Sequence, residues 1–436
     1  MTDPARSVVV TGVGLATPLG VGREALLEGL AAGRSVFGPL EGLLGKVAPG
    51  RGAVLDLPRK QFRNWINTRI LRLSTMTRQT TLGCISASDA ASSAGLPADM
   101  ESRTPEAMEK HLDRGTFLGS FIVPPPFLKQ IKAARLLARR PDGKTTGWVL
   151  DDARLGEAMK MASGFDFLRA LPNMPSSHLS IQLAYQGPAC TMLGSDTSGM
   201  QAIVQAVGTI RSGQAEVMVA GGAFCPFQEI HLAWQAHRGL YADARGVESA
   251  PRPFAASADG TLPGEAGAVV VLESRAHAEA RGATILAEVT GAAQRVIAPG
   301  EPDEIAVRAE TLNLAAPDGA SWVGPTALGQ ADLDRLENAA YDLAFGSSMD
   351  SVAAVAATPV IGFSGPAHGP TQLIAALLSA SGELRPARAV VEAASGCDTL
   401  AAGLGRSAST GPGTTAVASS FSIDGIHAAV GVRIEG

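Results

Sequence analysis

The chain has 436 residues, of which 46% are apolar and 18% charged, a balance that supports a large core and excludes intrinsic disorder. Its length fits two or three domains, or one large duplicated one. A net charge of -5 gives no global attraction for nucleic acid.

Cys84, Cys190, Cys225 and Cys397 are widely spaced. They form no CxxC pair and no metal-ligand pattern, so they read as buried, reduced thiols. No metal site is expected. The start MTDPARSVVVTG lacks the basic and apolar regions of a signal peptide. No run approaches the roughly 20 apolar residues of a membrane span. The expected location is the cytoplasm.

Taken in order, residues 7–12 (SVVVTG) read as a buried strand entering a Gly-rich turn. Residues 23–32 read as an amphipathic helix closed by Gly33, and residues 76–95 as a helix rich in small residues. Residues 121–176 are less regular: Pro124, Pro125 and Pro126 precede a basic run over 129–140. Lys129, Lys132, Arg135, Arg139 and Arg140 have spacings that give a basic stripe on a helix, either a solvated face or a docking face for an acidic partner.

Residues 197–211 form an apolar-periodic helix, followed by a buried strand over 215–222. A strand over 266–272 and a short helix over 276–282 follow. A strand over 283–290 opens a second half, with a helix near 332–343, a strand near 358–363 and a helix near 370–380. Strands over 414–420 and 427–433 end the chain. Strands alternating with helices indicate an α/β fold with largely parallel sheets. The shared rhythm divides the chain into halves at 1–275 and 276–436, with 121–176 as an insertion or interface region in the first.

One stretch carries chemical interest: GPACTMLGSDTSG, residues 187–199, ends an apolar run in a small turn and sets Asp196 before a helix. A helix N-terminus presents unpaired N–H groups and partial positive charge. Enzymes place nucleophiles and oxyanion sites there. Asp is also among the best helix caps, so the residues alone leave a structural and a chemical reading open.

Several ordered motifs carry a resemblance over nearly the whole chain: VVVTGVGLATPLG near the start, VMVAGGA at 217–223, RPFAASADGTLPGEAGAVVVLE at 252–273 and SSFSIDG at 419–425. The chain resembles the β-ketoacyl synthases of type II fatty-acid and polyketide synthesis. That resemblance implies the thiolase fold, two pseudo-repeated halves in five αβαβα layers. It lays Asp196 on the family's nucleophilic Cys. Cys190 lies six positions earlier on a strand, about 20 Å away at ~3.3 Å per residue, and is no substitute. Thr326 falls at the family's first His. In FSGPAH (363–368), His368 keeps the second His and Phe363 replaces a Lys. In the C-terminal gate, Phe421 is kept, Ile423 stands for the gating Phe and Asp424 for a Gly.

Condensation needs a thiolate to hold the acyl chain and two His to stabilise oxyanions. Asp196 is a poor replacement, being a weak nucleophile whose charge opposes the transition state; the helix N-terminus is expected to favour its ionised form. Three readings follow. The first is a non-condensing subunit resembling the chain-length factors (KSβ), which pairs with an active ketosynthase and shapes the tunnel; its interface is expected near residues 217–222 and the helix from Thr197. The second is a divergent acyltransferase, hydrolase or decarboxylase using Asp196 and His368 as a general acid/base pair, with Thr326 supplying a hydroxyl. The third is a homodimeric, carrier-binding scaffold.

The resemblance implies an acyl carrier protein as partner, its phosphopantetheine arm as the substrate carrier, and no other cofactor. Arg63, Arg69, Arg72 and Arg78, with the basic stripe over 129–140, are the expected docking residues.

Overall fold

The computed structural model describes residues 6–40, 50–96, 111–123, 127–139, 149–150, 152–161, 164–194, 196–242, 250–298, 301–387 and 392–436. Pro124 to Pro126 and Arg140 lie outside the described residues.

Ten strands make one hydrogen-bonded path. They are β1 (Val8–Thr17), β2 (Arg114–Ser120), β3 (Ala189–Leu193), β4 (Val217–Phe224), β5 (Ala266–Ser274), β6 (Ala287–Val296), β7 (Trp322–Gly324), β8 (Ala353–Ala354), β9 (Thr415–Phe421) and β10 (Ile426–Ile434). Their order is β3-β2-β4-β5-β1-β6-β10-β9-β7-β8. Each half reads 3-2-4-5-1 in its own sequence order. In each, the fifth strand runs antiparallel to its two neighbours and the other pairs are parallel. Both halves also break register at a Val-Thr-Gly, between Val10 and Gly12 and between Val289 and Gly291. β1 and β6 join the halves by two residue pairs, Val9 with Glu288 and Val10 with Ala287.

The helices that matter here are α1 (Arg78–Ser93), α2 (Met174–Leu183), α3 (Ser198–Arg211), α4 (Glu229–His237), α5 (Glu304–Ala315), α6 (Ala331–Phe345) and α7 (His368–Ser381). α1 and α2 cover the first sheet, α3 and α7 lie between the sheets, and α5 backed by α6 covers the second. This is the five-layered thiolase arrangement. α3 buries Met200, Ile203, Val207 and Ile210, the i, i+3, i+7, i+10 stripe of an inward helix face. α7 is buried over nearly its whole length because it has a sheet on either side.

Five expectations change. The sheets are mixed rather than largely parallel, because the fifth strand of each half and the β1–β6 junction pair antiparallel. β1 does not turn at Gly12 but runs on to Thr17. Its glycines serve close packing: a Cβ on Gly14 would sit 2.0 Å from the Ser86 carbonyl of α1. Residues 358–363 are not a strand. Thr358–Ile361 is a helical turn with proline in its first positions, where the missing N–H costs nothing, and the strand of that region is β8. The basic run is not one helix: Phe127–Leu137 is helical, but Arg139 belongs to a short strand, Ala138–Arg139, paired with Val149–Leu150. Cys84, Cys225 and Cys397 are buried as expected, but Cys190 is exposed, because β3 is an edge strand.

Candidate functional site

α3 follows β3 in the first half as α7 follows β8 in the second, so their N-termini are equivalent ends of the repeat. They meet at Pro366. A Cβ on Gly199 of α3 would lie 1.9 Å from the Pro366 carbonyl oxygen, and one on Gly222 of β4 2.0 Å from it. Only glycine at both positions permits that approach. It brings the turn of Asp196 and the start of α7, His368, to one region of the fold.

Asp196 is buried, but its carboxylate does not cap α3. Thr197 occupies the cap position, with no side-chain cap bond. Gln235 Nε2 donates to Asp196 Oδ1 at 3.0 Å, and Arg238 Nη1 donates to Oδ2 at 2.9 Å. Both donors come from the end of α4, and Arg238 Nη1 also donates to Gln235 Oε1 at 2.7 Å. The other guanidinium nitrogen, Nη2, reaches Asp424 Oδ2 at 2.7 Å. The side chains of Arg238 and Asp196 are 6% and 7% exposed, that of Asp424 41%.

Burial pushes the Asp196 carboxyl above its ordinary range, and the Arg238 guanidinium and Gln235 amide oppose that push. This differs from the expectation that the helix N-terminus sets its ionisation. Asp196 still accepts at both oxygens, the pattern of a carboxylate.

His368 is equally enclosed. Its Nε2 lies 2.7 Å from the Thr326 carbonyl and 3.4 Å from Thr358 Oγ1. A carbonyl requires a donor, so Nε2 carries the hydrogen. Nδ1 is buried without a partner. Burial lowers the ring to about 4, so the imidazole is neutral around pH 7. Among the described residues no hydrogen bond joins Asp196 to His368, and the expected acid/base pair is not formed.

Thr326 is also engaged: its hydroxyl accepts from Phe421 N at 3.0 Å. The loop is held by Glu337 of α6, which accepts from Thr326 N at 2.7 Å, Ala327 N at 2.9 Å and Ser419 Oγ at 2.9 Å. Ala327 has a positive φ of 51°, a conformation an alanine keeps only when its surroundings impose it. Glu337→Gln puts an amide NH₂ where an acceptor is needed. It is expected to cost about 1–3 kcal/mol, read as a lower urea midpoint with an unchanged slope.

An apolar plug lies beside these groups. Leu240, Leu328 and Phe363 form a buried cluster against which Leu333 and Ile423 pack. Phe363 also meets the His368 ring edge-on, centroids 5.1 Å apart. Phe421 is buried between the Arg308 guanidinium, 5.1 Å from its ring, and the His427 ring, 5.3 Å away.

The expected docking residues separate. Arg63 and Arg69 line one polar pocket of about 800 Å³ with Trp65, Asn67 and Asp89, while Arg72, Lys132 and Arg135 are exposed. Lys129 is on the helix Phe127–Leu137. Arg78 is not a free docking group: it donates to Glu265 at 2.6 Å and to the Leu55 carbonyl at 2.8 Å.

Sequence reasoning missed Arg238 and Glu337. A buried carboxylate needs a compensating partner, so Asp196 called for a cation, but nothing in the sequence pattern says which.

Chemically, among the described residues the site has no free thiol, no hydrogen-bonded acid/base pair and no cationic imidazole. Within it one guanidinium, Arg238, is shared by two carboxylates, Asp196 and Asp424. Residues 5–278 match the profile of the beta-ketoacyl synthase N-terminal domain. Nodulation protein E of Rhizobium leguminosarum bv. trifolii is 31% identical over 361 residues, 78% of this chain and 78% of that protein. The actinorhodin polyketide putative beta-ketoacyl synthase 1 of Streptomyces coelicolor is 29% identical over 398 residues, 86% and 77% of the two chains. Among solved structures, the ishigamide ketosynthase/chain length factor superposes with a TM-score of 0.78 at 21% identity, over 99% of this chain and 100% of that one. A type II polyketide ketosynthase in complex with its acyl-carrier protein, AntDE:AntF, gives 0.76 at 18% identity, over 98% and 99%. At these identities the two structures speak for the fold alone.

Proposed function

The chain belongs to the β-ketoacyl synthase family, and within it we propose that it is a non-condensing subunit that pairs with an active ketosynthase and helps shape the acyl tunnel. One observation carries this reading. Asp196, which the motif resemblance lays on the family's nucleophile position, is a carboxylate whose two oxygens receive Gln235 and Arg238. Both of its oxygens are engaged by the end of α4, and a carboxylate held this way is a poor nucleophile toward a thioester. A hydrolase pairing Asp196 with His368 loses support because no hydrogen bond joins the two among the described residues: Asp196 is bound to the end of α4, and His368 Nε2 to the Thr326 carbonyl.

A partner needs a surface. The strand at 217–222, once expected near it, is a buried mid-sheet strand. Among the described residues β3 is an end of the sheet path without a further strand, and Ala189 and Cys190 on it are exposed. Leu112 and Ile181 are also exposed, on segments that adjoin or pack on this edge. Further exposed apolar groups, Met159, Phe165 and Phe167, lie on the two short helices before α2. An unpaired strand edge beside apolar groups suits strand-to-strand subunit pairing. The pocket shared by Arg63 and Arg69 suits an acidic carrier protein.

The test is co-expression with a ketosynthase that has intact Cys, His and His, encoded beside this chain. Co-purification is expected, with a changed product length when this subunit is omitted. An Ile181→Glu, Cys190→Glu variant is expected to cut co-purification by at least about tenfold, since burying unpaired charge at an interface costs more than the ~1.4 kcal/mol of a tenfold change, with thermal stability of the isolated chain unchanged. If the wild-type chain does not co-purify and product length is indifferent to it, the reading fails.

A further inference from the structure

The hairpin loop between β9 and β10, residues 422–425, and the end of α4, residues 235–240, touch at two kinds of contact. Leu240 and Ile423 belong to the apolar plug with Phe363 and Leu328. One position before Leu240's glycine, and one after Ile423, Arg238 and Asp424 form an ion pair at 2.7 Å. The same two segments are therefore fastened by an apolar contact and by a charged one.

The charged contact has a depth gradient. Arg238 and Asp196 are almost wholly enclosed, while Asp424 is partly open to solvent. A guanidinium so buried has its position set by its inner partners, and here Asp196 Oδ2 and Gln235 Oε1 share Nη1. Nη2 is left aimed at the loop. A free arginine would lose side-chain entropy to make that bond; one already fixed does not.

We infer that Asp196 anchors an ionic latch, Asp196–Arg238–Asp424, which holds the 422–425 loop against the end of α4, with Ile423 on the apolar plug. Asp196 is then a positioning residue. The Asp196 carboxylate fixes Arg238, and Arg238 fixes the loop. Ser422 Oγ, 3.1 Å from both Asp424 Oδ2 and Asp424 N, tightens the loop on itself, and the Ile297 N–H bonds to the Gly425 carbonyl at 2.9 Å. Neither of those bonds reaches α4, so the ionic contact and the packing of Ile423 are what tie the loop to it. The latch concerns the 422–425 loop of this chain alone, and stands or falls apart from the pairing with a ketosynthase.

The experiment is amide hydrogen exchange of the purified chain at the loop, residues 422–425, in three variants. Asp424→Asn removes the outer charge at a partly exposed site and leaves Asp196–Arg238 intact, so the fold is kept. It is expected to speed loop exchange by about tenfold. Asp196→Asn, far below the surface, is expected to speed the same amides by a similar factor. Ser422→Ala removes only the bonds within the loop and is expected to fall well short of that. Unchanged loop exchange in folded Asp424→Asn overturns the latch. Faster exchange in Asp424→Asn but not in Asp196→Asn overturns the anchoring role of Asp196. A variant of Asp196 that does not fold leaves the decision with Asp424→Asn.

Discussion

Replacing Arg238 with methionine is expected to destabilise the fold by about 3–5 kcal/mol, the cost of leaving a buried ionised partner uncompensated. Methionine keeps much of the length and apolar stem, so most of the loss comes from charge. Asp196 would be left with Gln235 alone, in surroundings that already push its carboxyl upward. Its ionised form would have to be neutralised by a proton, and the variant should regain stability as pH falls toward the raised carboxyl range. The decisive measurement is the double variant. Arg238→Met with Asp196→Leu replaces a buried pair by apolar groups, an exchange that is often neutral or stabilising. Urea denaturation should therefore show a severe single variant and a double variant close to the wild type. If the double variant is as unstable as Arg238→Met alone, Asp196 and Arg238 are not energetically coupled, and the ionic description of the site is wrong.

The sequence carried more of the fold than of the site, for physical reasons. Buried strands such as β4 and β5 are runs of apolar and small residues, and helices such as α3 repeat at helical spacing. Those signals are local. The identical strand order of the halves leaves almost no trace in residue identity, since many apolar residues fill the same layer equally well. The Val-Thr-Gly repeated in β1 and β6 survives because a register break and a close helix approach admit few residues. β7 and β8 escaped notice because strands of three and two residues have no period to detect. At the site, Asp196 and His368 were visible through their motifs. Their partners were not: Arg238 lies 42 residues from Asp196 and 186 from Asp424, and only the folded chain makes them neighbours. The cap reading of Asp196 was the best local inference, and it gave way because a buried guanidinium is a stronger partner for a carboxylate than backbone N–H groups are.

Acid is expected to weaken this protein through two imidazoles that the fold keeps neutral. His427 is fully buried on β10, with both ring nitrogens unpartnered. Burial first, and then the Arg308 cation, lower it to about 3, against a smaller pull from Glu304. Burial lowers His368 to about 4. In the unfolded chain both rings titrate near about 6.5. As the pH falls through that value, the unfolded state takes up protons the native state refuses, so stability drops, down to the native pKa values. Near pH 5 the loss is about 2 kcal/mol per ring, from 1.36 kcal/mol per pKa unit. Asp334 works in the opposite sense: burial raises it to about 7, so its contribution to stability grows as the pH falls below that value and partly masks the histidines. The informative quantity is the difference between proteins. His427→Gln is expected to be somewhat less stable than the wild type near pH 7.5, yet to lose about 2 kcal/mol less between that pH and about pH 5. Equal losses would mean that native His427 accepts a proton after all, with Glu304 as its counter-ion 4.0 Å from Nε2. The ring faces Phe421 beside Arg308, so that proton would set a second cation against the residue that leads into the gate loop. The same titration, followed by exchange at 422–425, would then show whether the gate responds to it.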